Sequence, residues 1–355
     1  MRIEQWRWFK DVAKRKGRAV PQAPRVALIV DSPWIPGYVG VGHLDYYLDG
    51  DIWYEANLKI ALDFPEVIPF PSWWVEYGMA IEPSALGTRL HFRPDQPPGL
   101  SPVLFNAADI GRFSPVNPRT DGLMPLALDR YRAQKQRVFD AGYTIPVVAA
   151  RGPLCTAAFV RGLSELMMDL ADHPEAAHRL IRFCTETIIH WLEAQAEAVG
   201  PSVEGILVLD DVVGLLSRRM YLEFVHPYLQ QISSAFPREW VNVYHHDTKI
   251  KPFLADLADT GFDVLNFTHN LDVAEVQAAT GGKLCLMGNV SPLDVGVRGT
   301  SEEVKAAALE VLRKTNGEGI ILSLGGGVSP EMPRENILAM VEAAREFRPA
   351  VPVPD

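Results

Sequence analysis

The sequence predicts an α/β fold: a (β/α)8 barrel of TIM type, with an irregular, partly helical N-terminal extension over its mouth. Three observations point there. From residue 144 onward, short apolar runs alternate with helical patterns through six strand–helix units, the rhythm of a parallel sheet. Polar and ionisable residues follow the ends of these runs, where a barrel keeps its chemistry. No GxGxxG follows an early run, so the rival, an open doubly wound nucleotide-binding sheet, lacks its signature. The 355 residues suit one such domain, with 1–140 as extension and lid and 141–355 as the main repeats.

The elements follow in order. The first 140 residues are rich in Pro, Trp and Tyr, with helical pieces at 3–16, 51–64 and 129–141. Pro33, Pro36, Gly37, Gly40 and Gly42 make 33–42 a loop, and 89–92 reads as a strand. Strand-like runs then fall at 144–149, 205–209, 240–244, 263–267, 283–287 and 320–323. Helical patterns lie between them at 163–171, 175–199, 219–235, 250–260, 273–279 and 301–315, with a last one at 335–346. The longest carries Leu180, Ile181, Ile188, Ile189 and Leu192 at helical spacing. Ser301-Glu302-Glu303 and Pro333 before Asn336 mark helix starts.

Composition narrows the function classes. Apolar residues make up 48%, enough for a large core, and the net charge is -10. An acidic chain without a basic run excludes nucleic acid and anionic membrane surfaces as expected partners. No apolar stretch nears the roughly 18 residues that span a bilayer, and the start lacks the apolar core of a signal peptide. Cys155, Cys184 and Cys285 form no CxxC pair, consistent with a reducing, cytoplasmic setting.

The candidate chemistry sits after the apolar runs. Asp210 and Asp211 follow the second run; being adjacent, only one is expected to face inward. His245, His246 and Asp247 follow Trp240–Tyr244. His245 and Asp247 are two apart and share a direction if the strand period continues, which suits two metal ligands or an acid/base pair. His269 and Asn270 follow the fourth run, Asn289 the fifth, and Gly325-Gly326-Gly327 the sixth. Any one of these polar residues can instead cap the next helix or serve its loop. Trp34, Tyr38, Trp73 and Tyr77 in the N-terminal third read as core filling or as a roof over a flat apolar substrate.

Five stretches together resemble the uroporphyrinogen decarboxylase superfamily, which also holds cobamide-dependent methyltransferases. Arg151-Gly152-Pro153-Leu154-Cys155-Thr156 is similar to the family's G-P-[FL]-T turn. Ser217 through Tyr228 resembles its S-P-x-x-F-x-x-F-x-x-P-Y helix. His245-His246-Asp247 falls at its H-x-C-G position. Met287-Gly288-Asn289-Val290-Ser291-Pro292 resembles G-N-[IV]-x-P. Ile321 through Gly327, with Pro333-Arg334-Glu335-Asn336-Ile337, resembles the closing I-L-S-x-G-C…P-x-E-N-I pattern. The likeness is strong over 144–348 and weak before that. It implies a TIM barrel, and through the decarboxylases a possible homodimer.

The departures set the functional expectation. The arginine-bearing R-Q-A-G-R-Y loop of the decarboxylases is absent; the corresponding region reads Ser32-Pro33-Trp34-Ile35-Pro36-Gly37-Tyr38. The thiol-activating methyltransferases bind zinc through H-x-C and a later cysteine, where this chain has His245, Asp247 and Gly326. The resemblance therefore implies a harder nitrogen/oxygen site. It holds zinc through His245, Asp247 and one of the adjacent aspartates, assigned as Asp211. Asp210, His246 and Asn289 are assigned to catalysis, and Trp34, Tyr38, Trp73, Tyr77 and His269 to substrate binding. The expected activity is a demethylase-type methyltransferase, moving a methyl group from a small methoxylated or methylated compound to a corrinoid on a partner protein. The alternatives are a metal-free decarboxylase or lyase, with Asp211 and His245 as proton carriers, and a non-catalytic ligand-binding barrel.

Overall fold

A computed structural model describes residues 1–15 and 23–350. The chain is mixed α/β, built on parallel strands. β1 (Ala27–Ile29) and β2 (Ile68–Phe70) form one parallel pair. β3 (Arg89–Arg93) and β4 (Gln96–Ser101) form an antiparallel hairpin. β5 (Val147–Arg151), β6 (Gly205–Leu209), β7 (Val241–His246), β8 (Val264–Phe267), β9 (Cys285–Val290) and β10 (Ile320–Leu324) make a six-stranded parallel sheet in sequence order. Two isolated parallel bridges, Val26 to Leu322 and Ile29 to Gly327, join β1 to β10.

The expected closed barrel is not completed by hydrogen bonds. Among the described residues no ladder links β2 to β5, and the reason is in the sequence. Ile68 N–H donates to Val26 O, and Phe70 O accepts from Val30 N–H, so both face β1. Alternate residues of a strand point their amides to opposite sides. Those facing β5 are therefore Pro69 and Pro71, which have no N–H to give. Met1 and Ser72 fill the seam instead: Thr144 N–H donates to Met1 O at 2.8 Å and Ser72 Oγ to Thr144 O at 3.2 Å.

Parallel strands buried on both faces are apolar on both, and two cores result. The inner one collects Ala27, Ile29, Ile68, Phe70, Val147, Ala149, Leu207, Leu209, Val241, Val243, Val264, Cys285, Met287 and Ile321. The helix Ile3–Arg15 supplies Trp6, Phe9 and Val12 to it, with Phe9 stacked on Phe70 at 4.8 Å. Trp6 Nε1 donates to Glu204 and Lys14 to Asp263, residues that precede β6 and β8. This helix thus plugs the amino ends of the strands. The expected lid lies elsewhere: from the N-terminal third, the hairpin and residues 78–79 border the opposite, carboxyl end.

Several element boundaries differ from expectation. The helix expected over 219–235 is two, Arg218–Phe224 and His226–Ser234, because Pro227 cannot continue the first helix's bonding. Residues 250–260 yield only short turns, Lys251–Phe253 and Leu254–Leu257. The stretch after β5 is a helix, Pro153–Arg161, and the loop at 33–42 contains the short helix Ile35–Val39. Lys16, the expected end of the first helix, lies outside the described residues. Cys155, Cys184 and Cys285 are buried and unpaired. No described helix is long and apolar enough to cross a membrane.

Candidate active site

The two-residue period of each strand decides what reaches the inside. On β6, Leu207 and Leu209 enter the inner core, and Asp211 is next on that face. On β7, Val241 and Val243 are followed by His245 and Asp247. On β8, Val264 is followed by Asn266, on β5 Ala149 by Arg151, and on β1 Ile29 by Asp31. The ladder pairs Arg151 with Leu209 and Leu209 with His245, so these groups stand at one level.

Three of them converge. One ligand atom each from Asp211, His245 and Asp247 lies within 4.8 Å of the others. His245 Nε2 is 3.5 Å from Asp211 Oδ1, and Asp247 N–H donates to that oxygen at 3.2 Å.

Asn266 fixes how the imidazole is presented. This fully buried amide donates through Nδ2 to Met287 O at 2.8 Å and Leu324 O at 3.1 Å. Its Oδ1 is left to accept, and His245 Nδ1 lies 2.6 Å away. The network thus puts the proton on Nδ1 and the lone pair on Nε2. That lone pair faces a carboxylate oxygen. Two acceptors attract only through a proton or a cation between them. The donor set of one imidazole and two carboxylates, with an outer-shell carbonyl orienting the ring, fits zinc or a similarly hard divalent ion with an open position.

The charges respond to this crowding. Burial pushes the Asp211 carboxyl up, but the nearby His245 and the hydrogen bond from Asp247 N–H hold it below the usual carboxylate range. Burial and then the Asp211 charge push Asp247 up. Burial raises Asp31 to about 6 against the pull of Arg151 and His245.

Asp211, His245 and Asp247 border a cavity of about 380 Å³ with Asp31, Arg151, Met79, Pro97, Pro98, Phe159 and Gly327. Asp31 and Arg151 were not foreseen from sequence. The strand-end rule finds both once β1 is recognised and β5 is extended by two residues.

The other sequence candidates stand apart from this cavity. Asp210 takes the opposite parity to Asp211. It accepts from Leu154 N–H at 3.1 Å and Cys155 N–H at 2.7 Å, capping the helix Pro153–Arg161, and burial raises it to about 7. His246 does not border the cavity, although its Nδ1 lies 3.9 Å from Asp211 Oδ1; it is fully buried with Tyr244 and Phe253 against its ring, and burial lowers it to about 4. Asn289 Nδ2 donates to Thr268 O and Leu271 O and so holds the loop after β8. With His269 it borders a second cavity of about 320 Å³. The aromatics pack into the outer core instead of roofing the mouth. Trp34 stacks on Tyr38 at 4.6 Å, Trp73 on Tyr54 at 5.3 Å, and Tyr77 leans on Tyr47 at 5.4 Å.

Gly326 explains the missing closing side chain. A Cβ built there would lie 3.0 Å from Asp247 Oδ2. The aspartate occupies the space that a residue-326 side chain would enter.

Parallel strands with ionisable groups gathered at their carboxyl ends define an α/β protein of enzyme type. The chain belongs to the uroporphyrinogen decarboxylase (URO-D) family, whose sequence model matches residues 40–347. Curated relatives include uroporphyrinogen decarboxylases of Chlorobaculum parvum, 28% identical over 70% of this chain and 71% of that protein, and of Chlorobaculum tepidum, 24% identical over 93% and 95%. Among solved structures, a methyltransferase from Methanosarcina mazei superposes with TM-score 0.81 at 22% identity, covering 95% of this chain and 98% of that one. A B12-independent methionine synthase from Shewanella sp. W3-18-1 superposes with TM-score 0.58 at 11% identity, covering 91% and 97%. At these identities the two structures speak for the fold. All of these names are those of enzymes.

Proposed function

We propose that this chain is a metal-dependent methyltransferase of demethylase type, with a TIM-barrel framework. It takes a methyl group from a small methoxylated or methylated compound and passes it to a corrinoid carried by a separate protein. One observation carries the reading: Asn266 aims His245 Nε2 at Asp211 Oδ1, with Asp247 beside them, an arrangement that a bound cation would satisfy. Charge agrees. Three carboxyls, Asp31, Asp211 and Asp247, stand on the cavity wall against the one guanidinium of Arg151, a balance that suits a divalent ion.

Asp211, His245 and Asp247 would hold zinc, which would supply Lewis acidity toward a substrate oxygen or nitrogen and so a better leaving group. The chain's residues do the rest. Asn266 keeps the imidazole in its binding tautomer. Asp31, raised by burial to about 6, stands on the cavity wall where it can pass a proton to the departing heteroatom. Pro97, Pro98 and Met79 line the cavity with apolar surface. The methyl carbon leaves its heteroatom bond without the bonding electrons, which stay with the heteroatom and take up that proton.

A second reading keeps the cavity and drops the metal: decarboxylation or lysis of a small acid, with Asp31, Asp211 and His245 as proton carriers. The upward shift of Asp31 and the names of the curated relatives favour it. Metal analysis separates the two. The purified chain is expected to retain about one zinc, lost in His245→Ala, and to methylate reduced cobalamin from a methoxylated donor only when loaded. Metal-free protein that still converts a substrate overturns the methyl-transfer reading. Homodimerisation belongs to the same proposal and is checked by light scattering.

A further inference from the structure

Arg151 is 6% exposed and borders the cavity. A guanidinium has five N–H donors in a planar fork. Here Nη2 reaches Gly78 O at 3.1 Å, while Nε is buried without a partner. Among the described residues no carboxylate forms an ion pair with it, although Glu82 accepts its backbone N–H at 2.9 Å. The guanidinium lies over the Trp74 ring, 5.5 Å from its centroid. A cation–π contact of this kind uses none of the N–H donors and leaves them for a bidentate acceptor.

The carboxyls of Asp31, Glu76, Glu82 and Asp211 act on this cation from beyond ion-pair distance, but its unmatched N–H donors still call for an acceptor. The matching ligand is a planar oxyanion. Resting on the methyl-transfer reading, we propose that the methyl donor is a small monocarboxylate. Its carboxylate docks on Arg151, and its methyl-bearing oxygen or nitrogen lies toward Asp211, His245 and Asp247.

Geometry, size and charge agree. Arg151 and His245 sit at one level on β5 and β7. Two ladder spacings separate those strands, roughly 10 Å, and inward-pointing side chains shorten the gap. That matches the length of a one-ring methoxylated acid. A cavity of about 380 Å³ holds about a dozen water-sized groups, again one ring with its substituents. Ile29, Met79, Leu100, Phe159 and Leu209 offer the apolar wall that a ring needs. Among the described residues Arg151 is the only arginine or lysine bordering the cavity, so the attraction for an acid is concentrated at that end.

The test compares 3-methoxybenzoate with 3-methoxybenzyl alcohol, which has the same ring and methoxyl group but no charge. Affinities are measured by calorimetry on zinc-loaded and metal-free protein, for the parent, Arg151→Met and Arg151→Lys. The parent is expected to bind the acid at least about tenfold more tightly than the alcohol, as for a charge-assisted bidentate contact. Arg151→Met removes that preference while zinc content and alcohol affinity stay within about twofold. Arg151→Lys restores part of it, because a point charge replaces the fork, and this comparison suffices if the methionine variant does not fold. Equal binding of acid and alcohol by the parent, or an unchanged preference in both variants, overturns the proposal. The two readings fail separately. No zinc but an Arg151-dependent acid preference sinks methyl transfer alone, whereas zinc without the preference sinks only the carboxylate assignment.

Discussion

Replacing Asn266 by alanine tests the logic of the metal site without touching a ligand. In the parent, the Asn266 amide makes three buried contacts: 2.6 Å to His245 Nδ1, 2.8 Å to Met287 O and 3.1 Å to Leu324 O. Loss of three buried hydrogen bonds at about 1 kcal/mol each gives a stability cost of about 3 kcal/mol. The metal effect is separate. Without the Oδ1 acceptor, either tautomer and several ring orientations of His245 become accessible. Loss of an orienting partner weakens metal binding by about 10–100-fold, or about 1.4–2.8 kcal/mol. Zinc affinity is read by competition with a chromophoric chelator, and stability by urea denaturation of the metal-free protein. Asn266→Asp is the informative control. Its carboxylate still accepts from His245 Nδ1 but faces Met287 O and Leu324 O with no hydrogen to give. It is expected to retain zinc affinity while losing stability. If Asn266→Ala folds and binds zinc as tightly as the parent, the tautomer argument is refuted.

Two further predictions concern residues on the outer side of the strands. His246, fully buried and lowered to about 4, is neutral in the folded chain and titrates near 6.5 when unfolded. Its contribution is present above pH 6.5 and is lost as pH falls toward 4, in total about 3 kcal/mol. His246→Phe, which keeps a ring between Tyr244 and Phe253, is expected to flatten that acid limb in urea midpoints measured from pH 7 to 4; an unchanged limb counts against it. At Gly152, a Cβ would fall 2.3 Å from Asp210 Cβ, so Gly152→Ala pushes Asp210 off Leu154 N–H and Cys155 N–H. The expected cost is about 3 kcal/mol, partly relieved by adding Asp210→Ala; an unshifted urea midpoint in the single variant contradicts this.

The fold was legible where the chain repeats itself. From β5 to β10 the observed strands lie within a few residues of the apolar runs, and a helix follows most of them, the short turns at 251–257 being the exception. The N-terminal third was harder because its elements lack period. β4 contains Pro97 and Pro98, which sequence reading assigns to a loop. The aromatics were ambiguous for a physical reason: a tryptophan has as much to gain from a core as from a ligand. Trp34 and Trp73 went to the core. The open seam was written in the alternation of Pro69 and Pro71, but only the register against β1 shows which side those two residues face.

The site was legible as a neighbourhood and not as a list. Strands buried on both faces are apolar at every position, so Gly205–Leu209 carries no alternation to tell Asp210 from Asp211. The register supplies it: with Leu209 inside, Asp211 must be inside and Asp210 outside. The same count separates His245 from His246 and extends to Asp31 and Arg151. Those two change the character of the cavity. Asp211, His245 and Asp247 alone describe a place for a hard cation, and such a place accepts almost any oxygen compound. An arginine at the same level, two strands away and short of acceptors, gives the cavity a second, opposite end. A substrate that satisfies both ends must be bifunctional and of fixed length. On the proposed reading, selectivity comes from the distance between two charges, since the apolar wall between them discriminates weakly among rings of similar size.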